Sequence, residues 1–307
     1  MGQKKMKMPT TWDGWAARIS LYVRAGKQLL NEPRFPVRIE EVALHYSREA
    51  FPQDPILEVR GENCRGKWEG ALVPKEDRSG WGLFYDSGHS SKGRKNFTMA
   101  HEFGHYLIHR SLIKKPLFCS QHDMYAWDSA YAKMEAEANQ FAAMVLMPPD
   151  DFRDQTKPFL APTLAQFEAL KDRYEVSLTA VVLNWLKMTD RRAMIVVSKD
   201  GFIDWAWGSE PLYKSGVYFS AKKETIAVPS QSLAGLGSAT GVTELRHPAG
   251  IWNLREGVLE SVVFADSHNM TISLLIYPKH GPSRSEESDE EPELMDTYQA
   301  FERGQRP

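Results

Sequence analysis

The segment NFTMAHEFGHYLIH, residues 96–109, sets three histidines and one glutamate on a single apolar run. Within it, HEFGH fits the pattern H-E-x-x-H. Residues four apart share one helix face, a turn above each other. His101 and His105 can therefore aim two imidazoles at one ion. Glu102 is turned by about 100° from His101, which sets it beside a metal rather than on it, where a base can take a proton from water. Phe97, Leu107 and Ile108 give the other face apolar surface to bury. The spacing predicts a helix from about Phe97 to His109 carrying two zinc ligands and a general base.

A catalytic zinc site needs a third protein ligand and one position left for water. Position 108 is Ile and position 111 is Ser, so the HExxHxxGxxH continuation is missing. A carboxylate from a second helix is the alternative. Residues 130–147, AYAKMEAEANQFAAMVLM, are rich in helix formers and stop at Pro148 and Pro149. Glu135 and Asn139 lie four apart on one face. Such a face can offer zinc a carboxylate while the second residue hydrogen-bonds a ligating imidazole. Glu137 points about 200° away from Glu135, so we expect Glu135 as the ligand and Glu137 as a solvated charge. His109 stands one turn beyond His105, either behind the ligands or as a hydrogen-bonded helix-end histidine.

Cys119 falls in the connection between these helices, in KKPLFCSQHDMY. A soft sulfur suits zinc, which makes Cys119 a candidate inhibitory ligand in the water's place. The competing reading is an idle packed thiol. His122, Tyr125 and Tyr131 are candidates for stabilising an oxyanion.

Other elements must hold these residues. Trp12, Trp15, Ile19 and Val23 recur at helical spacing, and residues 36–46 read as a second helix. WEGALVP and WGLFYDS read as a hairpin around KEDRSG, followed by the polar, basic loop GHSSKGRK. We expect the second strand (Trp81, Gly82, Leu83, Phe84, Tyr85) to be an edge on which an extended substrate pairs. TLAQFEALKDRY and SLTAVVLNWLKM follow as a helix pair, with Ser177 at an N-cap position. After Met188 the pattern turns to alternating and β-branched runs.

Three blocks in order resemble the ImmA/IrrE metallopeptidases: GWGLFYDSGHSSKGRKNFTMAHEFGHYLIH, EAEANQFAAMVLMPPDDF and LKDRYEVSLTAVVLNWL, across roughly residues 36–190. Asn184 departs from the arginine that relatives often carry. The resemblance implies one Zn2+ per chain, held by His101, His105 and Glu135, with Glu102 as general base. It implies a cytoplasmic endopeptidase that cleaves a helix-turn-helix (XRE-type) repressor and so derepresses stress-response or defence genes. Some relatives carry a C-terminal domain similar to a GAF sensor.

Composition sets outer bounds. The chain has 307 residues and a net charge of −2. Of its 38 bases and 40 acids, three bases and eight acids lie in 281–307, so the body carries no strong basic field for nucleic acid. Single-stranded DNA could still act as an activator at Lys92, Arg94 and Lys95, although a solvated loop is the plainer reading. Two cysteines form no disulfide framework and suit a reducing cytosol. The N-terminus lacks the apolar stretch of a secretory signal, and no membrane span is evident.

We therefore expect an α+β protein. A mostly helical zinc metallopeptidase domain with a small edge sheet spans 1–190, a β-rich, GAF-like domain spans 191–280, and an acidic disordered tail with a short helix spans 281–307. The rival reading is a DNA-binding or sensory regulator in which zinc is structural and no peptide is cut. The helix pair argues against the DNA-reading form of it. A recognition helix shows polar side chains to bases, whereas this one offers Leu178, Val181, Val182, Leu183, Trp185 and Leu186.

Overall fold

A computed structural model of the chain describes residues 8–65, 67–88, 91–119, 129–221, 223–265 and 270–281. The acidic run, the segment LMDTYQAFERG, His122 and Tyr125 lie outside the described residues. The structure is mixed α and β, with two sheets. The chain divides into two compact units, one formed by residues up to Gln155 with Lys171–Ser177, the other mainly by Thr156–Leu170 and the chain from Leu178. Among the described residues, no helix is long and apolar enough to cross a membrane.

In the first unit, α1 (Trp12–Leu30) buries Trp15, Ala16, Ile19 and Val23 on one stripe and ends at Asn31, whose left-handed backbone (φ 53) closes the helix. Next comes α2 (Ile39–Ala50), whose buried Ser47 accepts a hydrogen bond from the Ile56 N–H at 2.9 Å. Strands β1 (Ile56–Glu62), β2 (Gly70–Pro74), β3 (Trp81–Asp86) and β4 (Leu117–Cys119) form a sheet in the order β1–β3–β2–β4. The expected hairpin is present as β2 and β3.

The expected substrate edge needs correction. Strand β3 lies inside the sheet, with β1 parallel on one side and β2 antiparallel on the other. The backbone groups of Trp81, Gly82, Leu83, Phe84 and Tyr85 are therefore committed to both neighbours, and no further strand can pair there. The edges are β1 and β4. Strand β1 is half-polar and β4 is three residues long, so neither carries a periodic signal strong enough to be read locally.

Helix α3 (Lys92–His109) starts five residues before its expected start. The polar run that reads as loop holds its cap: Ser91 Oγ accepts from the Arg94 N–H at 3.3 Å. Gly93 enters the first turn because a Cβ there would lie 2.6 Å from the Val176 carbonyl carbon. Helix α3 rests on β2 and β3 and on α1, α2 and α4 (Ser129–Leu146), so it is buried almost all round. Gly104 sets the approach of α4, since a Cβ there would meet Phe141 Cδ1 at 2.9 Å and Ala138 Cα at 3.4 Å. Helix α5 (Pro149–Thr156) follows the paired prolines, and its Asp151 accepts from Arg173 and from the Tyr174 hydroxyl at 2.6–2.9 Å.

The second unit takes α6 (Leu164–Tyr174) as far as Leu170, and α7 (Leu178–Leu186), which buries Leu178, Val181, Val182, Trp185 and Leu186. That apolar face is core rather than a surface for base edges. Strands β5 (Ala193–Lys199), β6 (Phe202–Gly208), β7 (Glu244–His247), β8 (Val258–Ala265) and β9 (Met270–Ile276) form an antiparallel sheet in the order β6–β5–β9–β8–β7, with short helices α8 (Glu210–Tyr213) and α9 (Leu233–Leu236).

The fully buried Glu260 organises this unit. Its Oε2 accepts from the Leu233 N–H at 2.8 Å and Trp252 Nε1–H at 3.0 Å, and it meets His247 Nε2 at 2.8 Å. Its Oε1 accepts from the Ala234 N–H at 3.2 Å and Ser273 Oγ at 3.0 Å. Removing one partner of a buried charged network leaves the others unsatisfied, at a cost of about 3–5 kcal/mol. Glu260→Ala is thus expected to lower the unfolding free energy of the unit holding the β5–β9 sheet by that order, measured by urea titration. A loss under about 1 kcal/mol would show the network to be dispensable.

Candidate metal centre

Two helices converge at the middle of α3. His101 Nε2 and His105 Nε2 lie 3.0 Å apart. The Glu135 carboxylate, from α4, bridges them: Oε2 is 3.2 Å from His101 Nε2 and Oε1 is 3.1 Å from His105 Nε2. Donors around a tetrahedral zinc at about 2.0–2.1 Å lie roughly 3.3 Å apart, so the set has the size of one face of such a site. All three residues are buried. Two ring nitrogens and a carboxylate turned on one another out of water favour positive charge between them. The protonation tendencies agree with this. Burial disfavours the charged form of His101, but Glu135 outweighs it and raises the His101 pKa. His105 is pushed down by burial. Glu135, although buried, is held well below the usual carboxylate range by the two imidazoles.

Both rings are held from behind, as metal-ligating imidazoles usually are. His101 Nδ1 meets Asn139 Oδ1 at 2.9 Å, in the geometry expected for Asn139. His105 Nδ1 meets His109 Nδ1 at 3.1 Å, and His109 Nε2 meets Glu137 Oε2 at 2.9 Å. Glu137, expected as a solvated charge, is instead the end of a chain Glu137–His109–His105. Its direction away from Glu135 was legible in the helix period, but the α3 side chain that it meets there was not. Burial lowers the pKa of His109, and Glu137 works against this.

Glu102 is fully buried, and neither of its carboxylate oxygens has a hydrogen bond of good geometry among the described residues. Desolvation pushes its pKa up to about 7, with His101 and the neighbouring Cys119 thiol acting the other way. A carboxylate poised near neutrality suits a general base. Gly70 on β2 makes room for it, since a Cβ there would lie 2.3 Å from Glu102 Oε1 and 2.7 Å from Thr98 Cγ2. Nothing in the local sequence of Gly70 points to this role. Cys119, on β4, joins the cluster: one donor atom each from His101, His105, Cys119 and Glu135 all lie within 4.8 Å of one another. Tyr131 stands one helical turn before Glu135, on the stripe that leads to Asn139. Arg94 is paired with Glu69, and Lys92, Arg94 and Lys95 form the first turn of α3 rather than a loop.

Two imidazoles one turn apart and a glutamate from a second helix could hold a metal ion, with a buried carboxylate beside them, which is the pattern of an HExxH-type site. Residues 66–185 match the family Peptidase_M78, described as the IrrE N-terminal-like domain. The match supports an ImmA/IrrE-family metallopeptidase domain over those residues, and that family comprises zinc-dependent peptidases that act on repressors. No curated protein matches the chain.

Proposed function

We propose that the chain is a zinc-dependent endopeptidase that cuts a helix-turn-helix (XRE-type) repressor and so releases stress-response or defence genes. The observation that carries this reading is the convergence of His101, His105 and Glu135 at 3.0–3.2 Å beside the buried Glu102. In this reading the first three residues hold one zinc ion. When bound, the ion supplies Lewis acidity to a water and to a carbonyl.

The chain's own residues do the rest. Glu102 takes a proton from the attacking water and delivers it to the leaving amine. Asn139 fixes the His101 ring, and Glu137 fixes the His105 ring through His109. Tyr131 is the candidate donor to the oxyanion. Of the two edge strands, β4 carries a residue of the donor cluster, so an extended substrate is placed along β4 rather than β3. We assign a sensory, GAF-like role to the β5–β9 sheet and an activating role to a DNA-damage signal such as single-stranded DNA.

The rival reading, zinc as a structural staple, draws on Cys119 as a fourth donor, because closed sites are structural. The buried Glu102 favours catalysis, since a staple has no use for a buried base beside the metal. The test is metal analysis of the purified chain, followed by incubation with any helix-turn-helix (XRE-type) protein found encoded beside it, with and without single-stranded DNA. One zinc per chain and a chelator-sensitive cut are expected. Absence of stoichiometric zinc, or an intact repressor under both conditions, would reject the proposal.

A further inference from the structure

One row of side chains crosses the first sheet: Arg60 on β1, Phe84 on β3, Ala71 on β2 and Phe118 on β4, each paired with the next. Paired residues on neighbouring strands share a face. Gly70, beside Ala71, faces Glu102 on α3, so the row lies on the opposite face. Its far end is closed: the Arg60 guanidinium lies 5.4 Å from the centroid of the Phe84 ring. Its near end is open. Phe118 is 47% exposed on the edge strand, and its ring lies 6.0 Å from that of the partly exposed Trp68, tilted by 53°. Edge strands are usually blunted by charge, yet Leu117–Cys119 carries none. The row therefore stops on an aromatic pair that a further strand would cover. That further strand would run beside the metal centre, because Cys119, the next residue, belongs to the compact cluster with His101, His105 and Glu135.

We propose that Phe118, backed by Trp68, determines substrate specificity: it selects an extended peptide with a large apolar side chain at the position opposite it. The proposal rests on the reading above, in which the substrate of a zinc peptidase pairs along β4. Side chains of a paired strand alternate between the two faces. The peptide residue opposite Phe118 thus points away from α3, while those before and after it point toward the metal donors. The selected side chain therefore stands within about two residues of the bond that is cut. An aliphatic or aromatic group there removes the Phe118 and Trp68 rings from water. A polar group there gives up water and finds no hydrogen-bonding partner on either ring. The metal side of the cleft performs the chemistry, and the outer face of the same strand chooses where along the peptide it happens.

The experiment uses the full zinc-loaded chain and short unstructured peptides that differ at one position, carrying Phe, Leu, Ser or Glu. Cuts are mapped by mass spectrometry. Binding is read by fluorescence anisotropy of the same peptides on Glu102→Gln protein, which should hold them without cutting. The Phe and Leu peptides are expected to bind roughly tenfold more tightly than the Ser peptide, the scale of a lost apolar contact in a specificity site. Their cuts should fall at a fixed short distance from the apolar residue. Phe118→Ser, with metal content unchanged, should erase the difference. Phe118→Lys should move the preference to the Glu peptide, since opposite charges pair across strands, a gain that mere misfolding cannot mimic. Cleavage without preference at any position, or a preference that neither variant alters, would overturn the role of Phe118 and leave the peptidase reading standing. If the zinc-loaded chain neither binds nor cuts any peptide, both fall.

Discussion

Glu102→Gln is expected to keep one metal ion per chain and to lower peptide-bond hydrolysis by about 10²–10⁴-fold, the range that a positioned general base supplies. Glutamine has nearly the same shape, so the packing of α3 against β2 survives, but the amide cannot take a proton from water. The loss should fall on kcat, because no donor of the metal cluster has changed. Gly70→Ala should produce the same pattern by a different route: the added Cβ would sit 2.3 Å from Glu102 Oε1, so the carboxylate must move while His101, His105 and Glu135 stay. Initial cleavage rates, measured beside metal content, check both variants. A Glu102→Gln protein that keeps more than about a tenth of the rate would remove Glu102 from the chemistry.

Glu135→Ala is expected to abolish stoichiometric metal binding and, with it, all hydrolysis. The carboxylate lies 3.1–3.2 Å from both ring nitrogens and supplies the only negative charge in the proposed three-ligand set. Without it, two buried imidazole nitrogens 3.0 Å apart lose the carboxylate that bridges them. Even partners behind a ligand cost about 10–100-fold in metal affinity when removed, and a ligand itself should cost more. The consequence is visible in stability. A ligand present at about 100 times its Kd stabilises the folded state by about 2.7 kcal/mol, so the unaltered protein should melt lower after chelation. The Glu135→Ala protein should melt at one temperature with or without chelator. A chelator-dependent shift that persists in this variant would mean that the ion sits elsewhere.

Much of the site could be read from local periodicity. The helix period alone places His101 and His105 on one face, turns Glu102 aside, and puts Glu135 and Asn139 on one stripe of α4. The structure brings these five together from helices that the sequence also outlined. What the period could not reach were residues joined across the sheet or between helices. Gly70 matters because of a carboxylate on α3, and Glu137 matters because of His109, 28 positions away.

The sequence by itself determined which side chains share a helix face, because that depends only on the rise and turn of one backbone. It also determined the composition of the core, with the apolar face of α7 meant for burial. Only the tertiary structure decided the order of the strands, and with it that β3 is interior and β4 is an edge. Strand pairing joins residues far apart in the chain, and nothing local in a short strand names its neighbours. The same holds for Cys119: its register against Gly70, not its surroundings in sequence, puts a thiol among the candidate metal donors.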